Sequence, residues 1–291
     1  MKKILIITTG GTIACETTEN GRAPVHGGEW LTEGLTGCET EICDLFSCDS
    51  TDITPDHWRK LYEKVKKSAD YDGIVILHGT DTLEYTAAML YFTVSDMGIP
   101  VILTGAMIPM SEENSDGGRN IRDAVTAACD SRLSGVYVVF SGSVISGGNV
   151  IKRHSSETDA FRAFCGKDNG RIQEGAVADF CPAELPASMK LPERDKKISV
   201  IKLSPFTDSL YAADNCEGTV IESYGAGGIP LKLIDCLSSL CKRMPVIITT
   251  SCGGGADLHE YEVGQRALSL GAIDGGKMTT ACAAVKMWLD I

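Results

Sequence analysis

The 291-residue sequence lacks any apolar run of the roughly 20 residues that cross a membrane, and it lacks an excess of positive charge. Its 27 Lys and Arg residues are outnumbered by 39 Asp and Glu residues, which gives a formal net charge of −12. Nucleic acids and anionic membrane surfaces attract basic proteins, because both are densely negative. We therefore expect no nucleic acid and no membrane as a partner.

The start of the chain does not fit an export signal. The first residues, MKKILIITTGG, begin like one, with two lysines before apolar residues. The apolar run is too short, however, and it ends in glycines and threonines without a small-residue cleavage site. We interpret this stretch as the first strand of the fold and expect a cytoplasmic protein.

The 12 cysteines include no C-x-x-C pair. Cys38, Cys43 and Cys48 are evenly spaced, but the five histidines do not cluster beside them. In a reducing compartment, cysteines of this kind serve as small buried hydrophobic residues or as free thiols. We expect no metal site.

The first glycine-rich loop fits neither of the common phosphate-binding motifs. TTGGTIA, at residues 8–14, directly follows the first apolar run. A P-loop needs G-x-x-x-x-G-K-[ST] and a dinucleotide loop needs G-x-G-x-x-G, and the sequence GGTIACE matches neither. From the residues alone, two interpretations stay open: a tight structural turn, or the position of a threonine nucleophile.

Short apolar runs rich in Val and Ile alternate with helical patterns along the chain. Such runs are typical of strands buried on both faces of a parallel sheet. Up to residue 140 they are KKILII, EICDLF, GIVIL, PVILTG and GVYVVF. Thr54 and Pro55 predict the start of one helix, and Gly98 predicts the end of another. The pattern predicts an α/β fold with a layered α/β/α domain.

A break in this pattern predicts a second domain. Residues 181–197, CPAELPASMKLPERDKK, hold three prolines and a charge cluster without periodicity, which is typical of a linker. Beyond them a second alternation begins, with ISVIKL, GTVIES and PVIITT as strands and IPLKLIDCLSSLCKR as a helix. We predict an N-terminal catalytic α/β domain over residues 1–180, a linker over 181–197 and a smaller C-terminal α/β domain over 198–291.

Polar loops follow the strands of the first domain. In a doubly wound sheet the loops at the carboxyl ends of the strands meet at one crevice. Here these loops contain TTGGTIA, CDSTDIT, LHGTDTLE and LTGAMIPMSEENSDGGRN, and SGGNVIKR comes later. They contribute side chains suited to a small polar ligand, namely Thr12, Ser50, Asp52, Thr80, Asp81 and Lys152.

Several of these motifs resemble those of the bacterial-type L-asparaginases, most closely the cytoplasmic branch of that family. The resemblance rests on TGGTIA, HGTDTLEYTA, PVILTGAMIP and SDGGRNIRDA, and it continues through SYGAGG to the C-terminal GGKMTTACAAVKMW. It implies an amidohydrolase that converts L-asparagine to L-aspartate and ammonia through an acyl-threonine intermediate.

The resemblance also implies a role for each matching residue. Thr12 would be the nucleophile, Thr80 the second active-site threonine and Lys152 the base beside Thr80. Asp81 would hold the α-ammonium group of the substrate, and Ser50 would bind its α-carboxylate.

The chemistry of these residue types fits the implied reaction. A threonine hydroxyl needs a base to take its proton, and a lysine can serve only when its surroundings favour the neutral form. Ala106 would help to position the amide. Backbone N–H groups of the glycine loop would stabilise an oxyanion, an effect worth roughly 3 kcal/mol per donor, and Gly11 of that loop would bind the substrate. The reaction needs no metal and no organic cofactor.

One departure from the secreted branch of the family directs attention to the second domain. The loop after the nucleophile often carries a lid tyrosine in that branch, whereas Arg22 and Ala23 are the nearest counterparts here. Cytoplasmic members place a tyrosine in a Tyr-x-x-Gly context, where it reaches the nucleophile of a neighbouring subunit. Tyr261 matches that context, so we predict that it is catalytic across an interface, with Glu260 as the competing substrate-binding candidate. This implies a homodimer or homotetramer with shared active sites.

Two rival functions are considered. A non-catalytic amino-acid sensor would need Ser50 and Asp81, but not Thr12, Thr80 and Lys152. The amidase subunit of a tRNA-dependent amidotransferase would need a partner subunit and a basic surface, against which the acidic composition counts. L-glutamine stays open as a further substrate, because one methylene in a small pocket is worth only about 1–3 kcal/mol.

Overall fold

The computed structural model describes residues 1–11, 13, 15–18, 21–24, 35, 37–212 and 215–291, with the backbone alone for 15–18 and 21–24. The chain forms two compact units. The first contains Met1–Ala163 and Lys167–Ser188, and the second contains Phe164–Gly166 and Met189–Ile291. The chain passes from the first unit to the second at Met189, which lies inside the stretch proposed as a linker. The domain boundaries at residues 180 and 198 stay a prediction.

The first unit is built on a mixed sheet. Its strands are β1 (Lys2–Gly10), β2 (Cys15–Thr18), β3 (Gly21–Pro24), β4 (Cys38–Cys48), β5 (Gly73–Leu77), β6 (Pro100–Thr104), β7 (Gly135–Phe140), β8 (Ser143–Ser146), β9 (Val150–Lys152), β10 (Phe161–Ala163), β11 (Gly170–Gln173) and β12 (Ala176–Ala178). Its helices are α1 (Pro55–Lys66), α2 (Leu83–Val94) and α3 (Gly117–Ala128).

The main sheet has the strand order β12-β11-β8-β7-β6-β5-β1-β4. The strands from β4 to β7 in this order are parallel, whereas β8, β11 and β12 continue the sheet antiparallel. All five apolar runs predicted as strands before residue 140 lie on the parallel part, so that prediction is confirmed. Two small hairpins, β2 with β3 and β9 with β10, stand apart from this sheet.

Both faces of the parallel strands are covered. Ile4 and Ile6 of β1 pack in one cluster with Ile121 and Ala124 of α3. Leu5, between the two isoleucines, is also 0% exposed, and its side chain points to the other face because strand side chains alternate. This double burial explains why the sequence shows continuous apolar runs instead of alternation.

The helix ends follow the predicted signals. Thr54 is the N-cap of α1 and Pro55 is its first residue. After α2 the chain continues in a short 3₁₀ turn, Ser95–Met97, and Gly98 ends it in the left-handed conformation with a φ of 76°.

The second unit repeats the α/β pattern on a smaller scale. Its parallel sheet has the order β13-β14-β15-β16, and its core joins Ile221 and Ile248 of the sheet to Leu237 and Ala267 of two helices. The elements are β13 (Ile198–Lys202), β14 (Gly218–Ser223), α4 (Ile234–Cys241), β15 (Val246–Thr250), α5 (Glu262–Ser269), β16 (Ile273–Asp274) and α6 (Thr280–Asp290). No helix among the described residues is long and apolar enough to cross a membrane.

Two glycines allow the loops after β1 and β5 to touch. A Cβ atom on Gly11 would lie 2.3 Å from the Cα atom of Gly79, and Gly11 itself has a φ of +84°. A Cβ atom on Gly79 would lie 2.6 Å from the Cβ atom of Ser50, which follows β4. Any side chain at either position would force the loops apart, so glycine is required by space at both positions and by conformation at Gly11.

We predict that Gly11→Ala lowers the free energy of unfolding by about 3 kcal/mol or more, because strain at positive φ adds to a backbone clash. Gly98→Ala is the matched control: Gly98 has a φ of +76°, but no described atom lies within 4 Å of its Cβ position. That variant should lose only about 1 kcal/mol. Urea unfolding of both variants checks this, and equal losses would show that the contact with Gly79 contributes nothing.

Candidate functional site

The candidate site lies at the carboxyl edge of the parallel strands in the first unit. Gly11 follows β1, Ser50 follows β4, Thr80 and Asp81 follow β5, and Ala106 follows β6. These four strands are neighbours in the sheet, in the order β6-β5-β1-β4. The loops predicted to meet therefore do so, because the carboxyl ends of parallel strands lie at one edge.

Lys152, the last residue of β9, brings a cation to two of these side chains. Its Nζ atom donates to Thr80 Oγ1 at 2.8 Å and to Asp81 Oδ1 at 2.5 Å. The Lys152 side chain is 15% exposed, whereas that of Asp81 is 58% exposed. The contact thus joins the ammonium group of a largely buried side chain, a hydroxyl group and an accessible carboxylate, and the bond between the two charged groups is the stronger kind.

Ser50 is tied directly to the loop that carries Asp81. Its Oγ atom accepts a hydrogen bond from the Asp81 backbone N–H at 3.2 Å, and Thr82 Oγ1 donates to the Ser50 carbonyl at 2.7 Å. Ser50 is buried in a short 3₁₀ turn whose N-cap is Asp49. These bonds place the Ser50 hydroxyl beside the Asp81 main chain.

Two other residues predicted for this site are described and one is not. Ala106 and Gly11 are both buried at the edge of the sheet. The Gly11 N–H donates to the Cys48 carbonyl at 3.2 Å. Thr12, the predicted nucleophile, lies outside the described residues, and its role stays a prediction.

Glu260 and Tyr261 belong to the second unit, at the start of α5. Tyr261 is the N-cap of that helix and is 56% exposed. A hydrogen bond to the Glu260 carboxylate raises the pKa of the Tyr261 phenol above its ordinary value. Their predicted action in the site of a neighbouring subunit stays a prediction.

The sequence analysis did not identify a row of hydrogen bonds that begins at His78, two residues before Thr80. His78 Nδ1 lies 2.7 Å from the Gly79 carbonyl oxygen, and its Nε2 lies 3.0 Å from Thr86 Oγ1, which also accepts from Trp58 Nε1 at 3.0 Å. A carbonyl can only accept, so Nδ1 carries the hydrogen and Nε2 accepts from the Thr86 hydroxyl. Burial lowers the pKa of His78 to about 4, so its ring is neutral at pH 7.

Glu84 is a second residue that the sequence did not single out. It stands on the first turn of α2, and its Oε2 atom accepts from the Lys152 backbone N–H at 3.0 Å. One helix therefore carries the loop with Thr80 at its start and also holds the main chain of Lys152. The sequence signal that could have found it is the acidic residue directly after HGTDTL, read as a partner for a later strand.

The described part of the chain contains no group of three or more His, Cys, Asp or Glu side chains that could hold a metal ion. Every cysteine side chain that the structure describes is a free thiol. The site therefore offers hydroxyl, ammonium and carboxylate groups, a set that can bind a zwitterion and move protons.

Comparison with known proteins places both parts of the chain in one family. Residues 3–180 match the family model "Asparaginase, N-terminal", and residues 200–289 match "Glutaminase/Asparaginase C-terminal domain". The chain therefore belongs to the asparaginase family, as its motifs indicated.

Some similar proteins are named L-asparaginase, and others are named as amidotransferase subunits. The L-asparaginase of Thermococcus kodakarensis is 38% identical over 302 residues, which cover 98% of this chain and 92% of that protein. A subunit of the glutamyl-tRNA(Gln) amidotransferase of Archaeoglobus fulgidus is 31% identical over 318 residues, which cover 98% of this chain and 74% of that protein.

Solved structures support the predicted α/β fold class. The thermostable L-asparaginase from Thermococcus kodakarensis matches with a TM-score of 0.88 at 36% identity, covering 98% of this chain and 92% of that one. A probable cytoplasmic L-asparaginase from Campylobacter jejuni matches with a TM-score of 0.81 at 26% identity, covering 99% and 94%.

We predict that the buried His78 makes the free energy of unfolding depend on pH. Its pKa is about 4 in the folded protein, against 6.5 as the ordinary value, so the unfolded chain binds the proton more tightly. The contribution of His78 to the free energy of unfolding is fully present above pH 6.5. It is lost as the pH falls towards 4, by about 3 kcal/mol in total. Urea unfolding between pH 7 and pH 4.5 should show a steeper loss for the wild type than for His78→Gln. The variant His154→Gln, at an exposed histidine, is the control, and equal slopes in all three proteins would contradict the assignment.

Proposed function

We propose that this protein is an L-asparagine amidohydrolase, which converts L-asparagine to L-aspartate and ammonia through an acyl-threonine intermediate. The observation that carries the proposal is the contact of Lys152 Nζ with Thr80 Oγ1 and the Asp81 carboxylate, at 2.8 and 2.5 Å, in a chain of the asparaginase family. The similarity to relatives named L-asparaginase supports the same substrate class.

The substrate would be bound through its α-substituents. The Asp81 carboxylate is 58% exposed, so the α-ammonium group of a free amino acid can reach it. The Ser50 hydroxyl accepts from the Asp81 N–H and so keeps its own hydrogen for the α-carboxylate. Pairing both charged groups of a zwitterion fixes its orientation and directs its side-chain amide towards the loops after β1 and β6.

The reaction would proceed in two displacements at the amide carbon. The Thr12 oxygen attacks the carbonyl, its proton passes to the amide nitrogen, and the C–N bond breaks to release ammonia. Water then attacks the aspartyl ester, gives a proton back to the Thr12 oxygen, and releases L-aspartate. Thr80 and Lys152 would move these protons, since a threonine hydroxyl is too weak a nucleophile without a base.

We also propose the finer features that the family resemblance implies. These are a cytoplasmic location, a homodimer or homotetramer, and active sites shared between subunits through Tyr261 or Glu260. L-glutamine is a second candidate substrate of the same site. Amidotransferase activity is the rival with a specific finding behind it, because amidotransferase subunits are among the relatives.

The test of the proposal is ammonia release by the purified protein from free L-asparagine, L-glutamine and D-asparagine, without tRNA. We expect turnover of L-asparagine, and we expect Lys152→Met to lose at least about 100-fold in kcat, as general acid–base groups typically contribute 10²–10⁴-fold. Lys167→Met, a change elsewhere in the first unit, is the control and should keep the wild-type rate.

Two outcomes would reject the proposed activity, and a third would reject the role of Lys152. A wild type that binds L-asparagine without releasing ammonia would be a sensor. Release that requires tRNA and a partner subunit would indicate the amidotransferase. Turnover that survives Lys152→Met at the control rate would remove Lys152 from the mechanism.

Subunit mixing tests whether Tyr261 acts across an interface. Thr12→Ala and Tyr261→Phe proteins should each be inactive alone. If each site combines Thr12 of one subunit with Tyr261 of the other, random exchange into dimers restores about a quarter of the wild-type activity. Exchange is verified by native mass spectrometry. Exchange without any recovery of activity would mean that Tyr261 does not act in the neighbouring site.

A further inference from the structure

A buried asparagine, Asn120, connects the loops after β6 and β7 without belonging to the site described above. It lies in the first turns of α3 and is 0% exposed. An amide group that is fully buried must find partners for its donors and its acceptor, or it destabilises the fold. The partners of Asn120 therefore reveal which parts of the main chain it holds.

All three bonds of the Asn120 side chain are directed at loop residues or at the start of its own helix. Its Nδ2 atom donates to the Gly105 carbonyl at 2.9 Å and to Asp116 Oδ2 at 3.0 Å. Its Oδ1 atom accepts from the Ser141 backbone N–H at 3.0 Å. Ser141 has a φ of +49°, an unfavourable conformation for a serine, so this bond fixes a strained turn after β7.

Asp116 extends the same arrangement along the loop after β6. Its Oδ1 atom accepts from the N–H groups of Met107 and Ile108 at 3.1 and 2.9 Å. The peptide groups on both sides of Ala106 are therefore fixed: the Gly105 carbonyl by Asn120, and the Met107 N–H by Asp116. Two neighbouring turns of one helix determine the main-chain conformation at Ala106.

This loop also lies against the candidate catalytic threonine. A Cβ atom on Gly105 would lie 2.3 Å from the His78 carbonyl oxygen and 3.5 Å from Thr80 Cγ2. A displacement of the Gly105 peptide would therefore move groups that pack directly on Thr80. None of the bonds that Asn120 makes among the described residues reaches Ser50 or Asp81.

We propose that Asn120 and Asp116 are positioning residues, which hold the main chain at Ala106 in the orientation that places the substrate amide for attack. This inference deepens the proposed amidohydrolase function and rests on it. The pair acts on the reacting end of the substrate, whereas Ser50 and Asp81 hold the α-substituents through separate loops.

Because Asn120 and Asp116 act on the amide end of the substrate alone, their loss should change kcat without changing the binding of the α-groups. Loss of the bonds should misplace the amide, which lowers kcat, while the α-ammonium and α-carboxylate contacts persist. L-aspartate carries the same α-ammonium and α-carboxylate groups but no amide. Its Kd therefore reports on the contacts to these two groups alone. A general weakening of the fold would affect turnover and L-aspartate binding together.

The experiment compares Asn120→Asp, which keeps the size and the acceptor but loses both donors, with Ala124→Gly. Ala124 lies one turn further along α3, is 0% exposed and has no polar side-chain group, so its variant weakens the same helix without touching the loop. We expect Asn120→Asp to lower kcat by about 100-fold, as a displacement of about 1 Å can do. The Kd for L-aspartate should stay within about twofold of wild type, and Ala124→Gly should change neither value by more than that.

Asp116→Asn provides a second test of the inference if Asn120→Asp does not fold. It keeps an acceptor oxygen for the Met107 and Ile108 N–H groups, and its kcat should fall less, with the Kd for L-aspartate again unchanged. The inference is overturned if kcat falls no further than in Ala124→Gly, or if L-aspartate binding weakens in parallel with kcat. A wild type without amidohydrolase activity would reject the proposed function itself, and this role with it.

Discussion

The candidate site depends on the close approach of the loops after β1 and β5, which only glycine allows. The parallel strands are about 4.8 Å apart, so side chains projecting from their carboxyl ends would normally keep the following loops separate. Gly11 and Gly79 remove that obstacle, and a Cβ atom on Gly11 would lie 2.3 Å from Gly79. The short side chains beside these glycines can then act on one small ligand. Glycine at these two positions is thus a requirement of space at the candidate site, which is a physical reason for a glycine directly after β1.

Charge within this space is organised around Lys152. The Lys152 side chain is largely buried, and its ammonium group contacts the Asp81 carboxylate at 2.5 Å and the Thr80 hydroxyl at 2.8 Å. A buried cation is tolerated only when it is paired, so Asp81 both stabilises Lys152 and presents a carboxylate to solvent. The surrounding polar bonds hold the main chain: Glu84 fixes Lys152, His78 fixes Gly79, and Asn120 fixes Gly105. Each of these side chains acts on a peptide group.

The sequence predicted what depends on local pattern and on a motif. Continuous Val and Ile runs indicated the buried strands, Thr54 and Pro55 indicated the start of α1, and the HGTD motif indicated Thr80 and Asp81. It did not reveal Asn120, Glu84 and His78 as partners of main-chain groups. The bonds of Asn120 and Glu84 join residues 15 and 68 positions apart, and the bond of His78 depends on which ring nitrogen faces which group. Such contacts follow from the packing of α2 and α3 on the sheet. The roles of Thr12, Glu260 and Tyr261 stay predictions from the family resemblance.

In the proposed mechanism the hydroxyl group of Thr12 attacks the substrate while Thr80 and Lys152 move protons. This mechanism is tested by the mass of the peptide containing Thr12 from protein quenched with acid during turnover of L-asparagine. We expect this peptide to carry one aspartyl group in ester linkage and the peptide containing Thr80 to carry none. An aspartyl group on Thr80, or turnover with no aspartyl group on Thr12 at any quench time, would contradict the proposed mechanism.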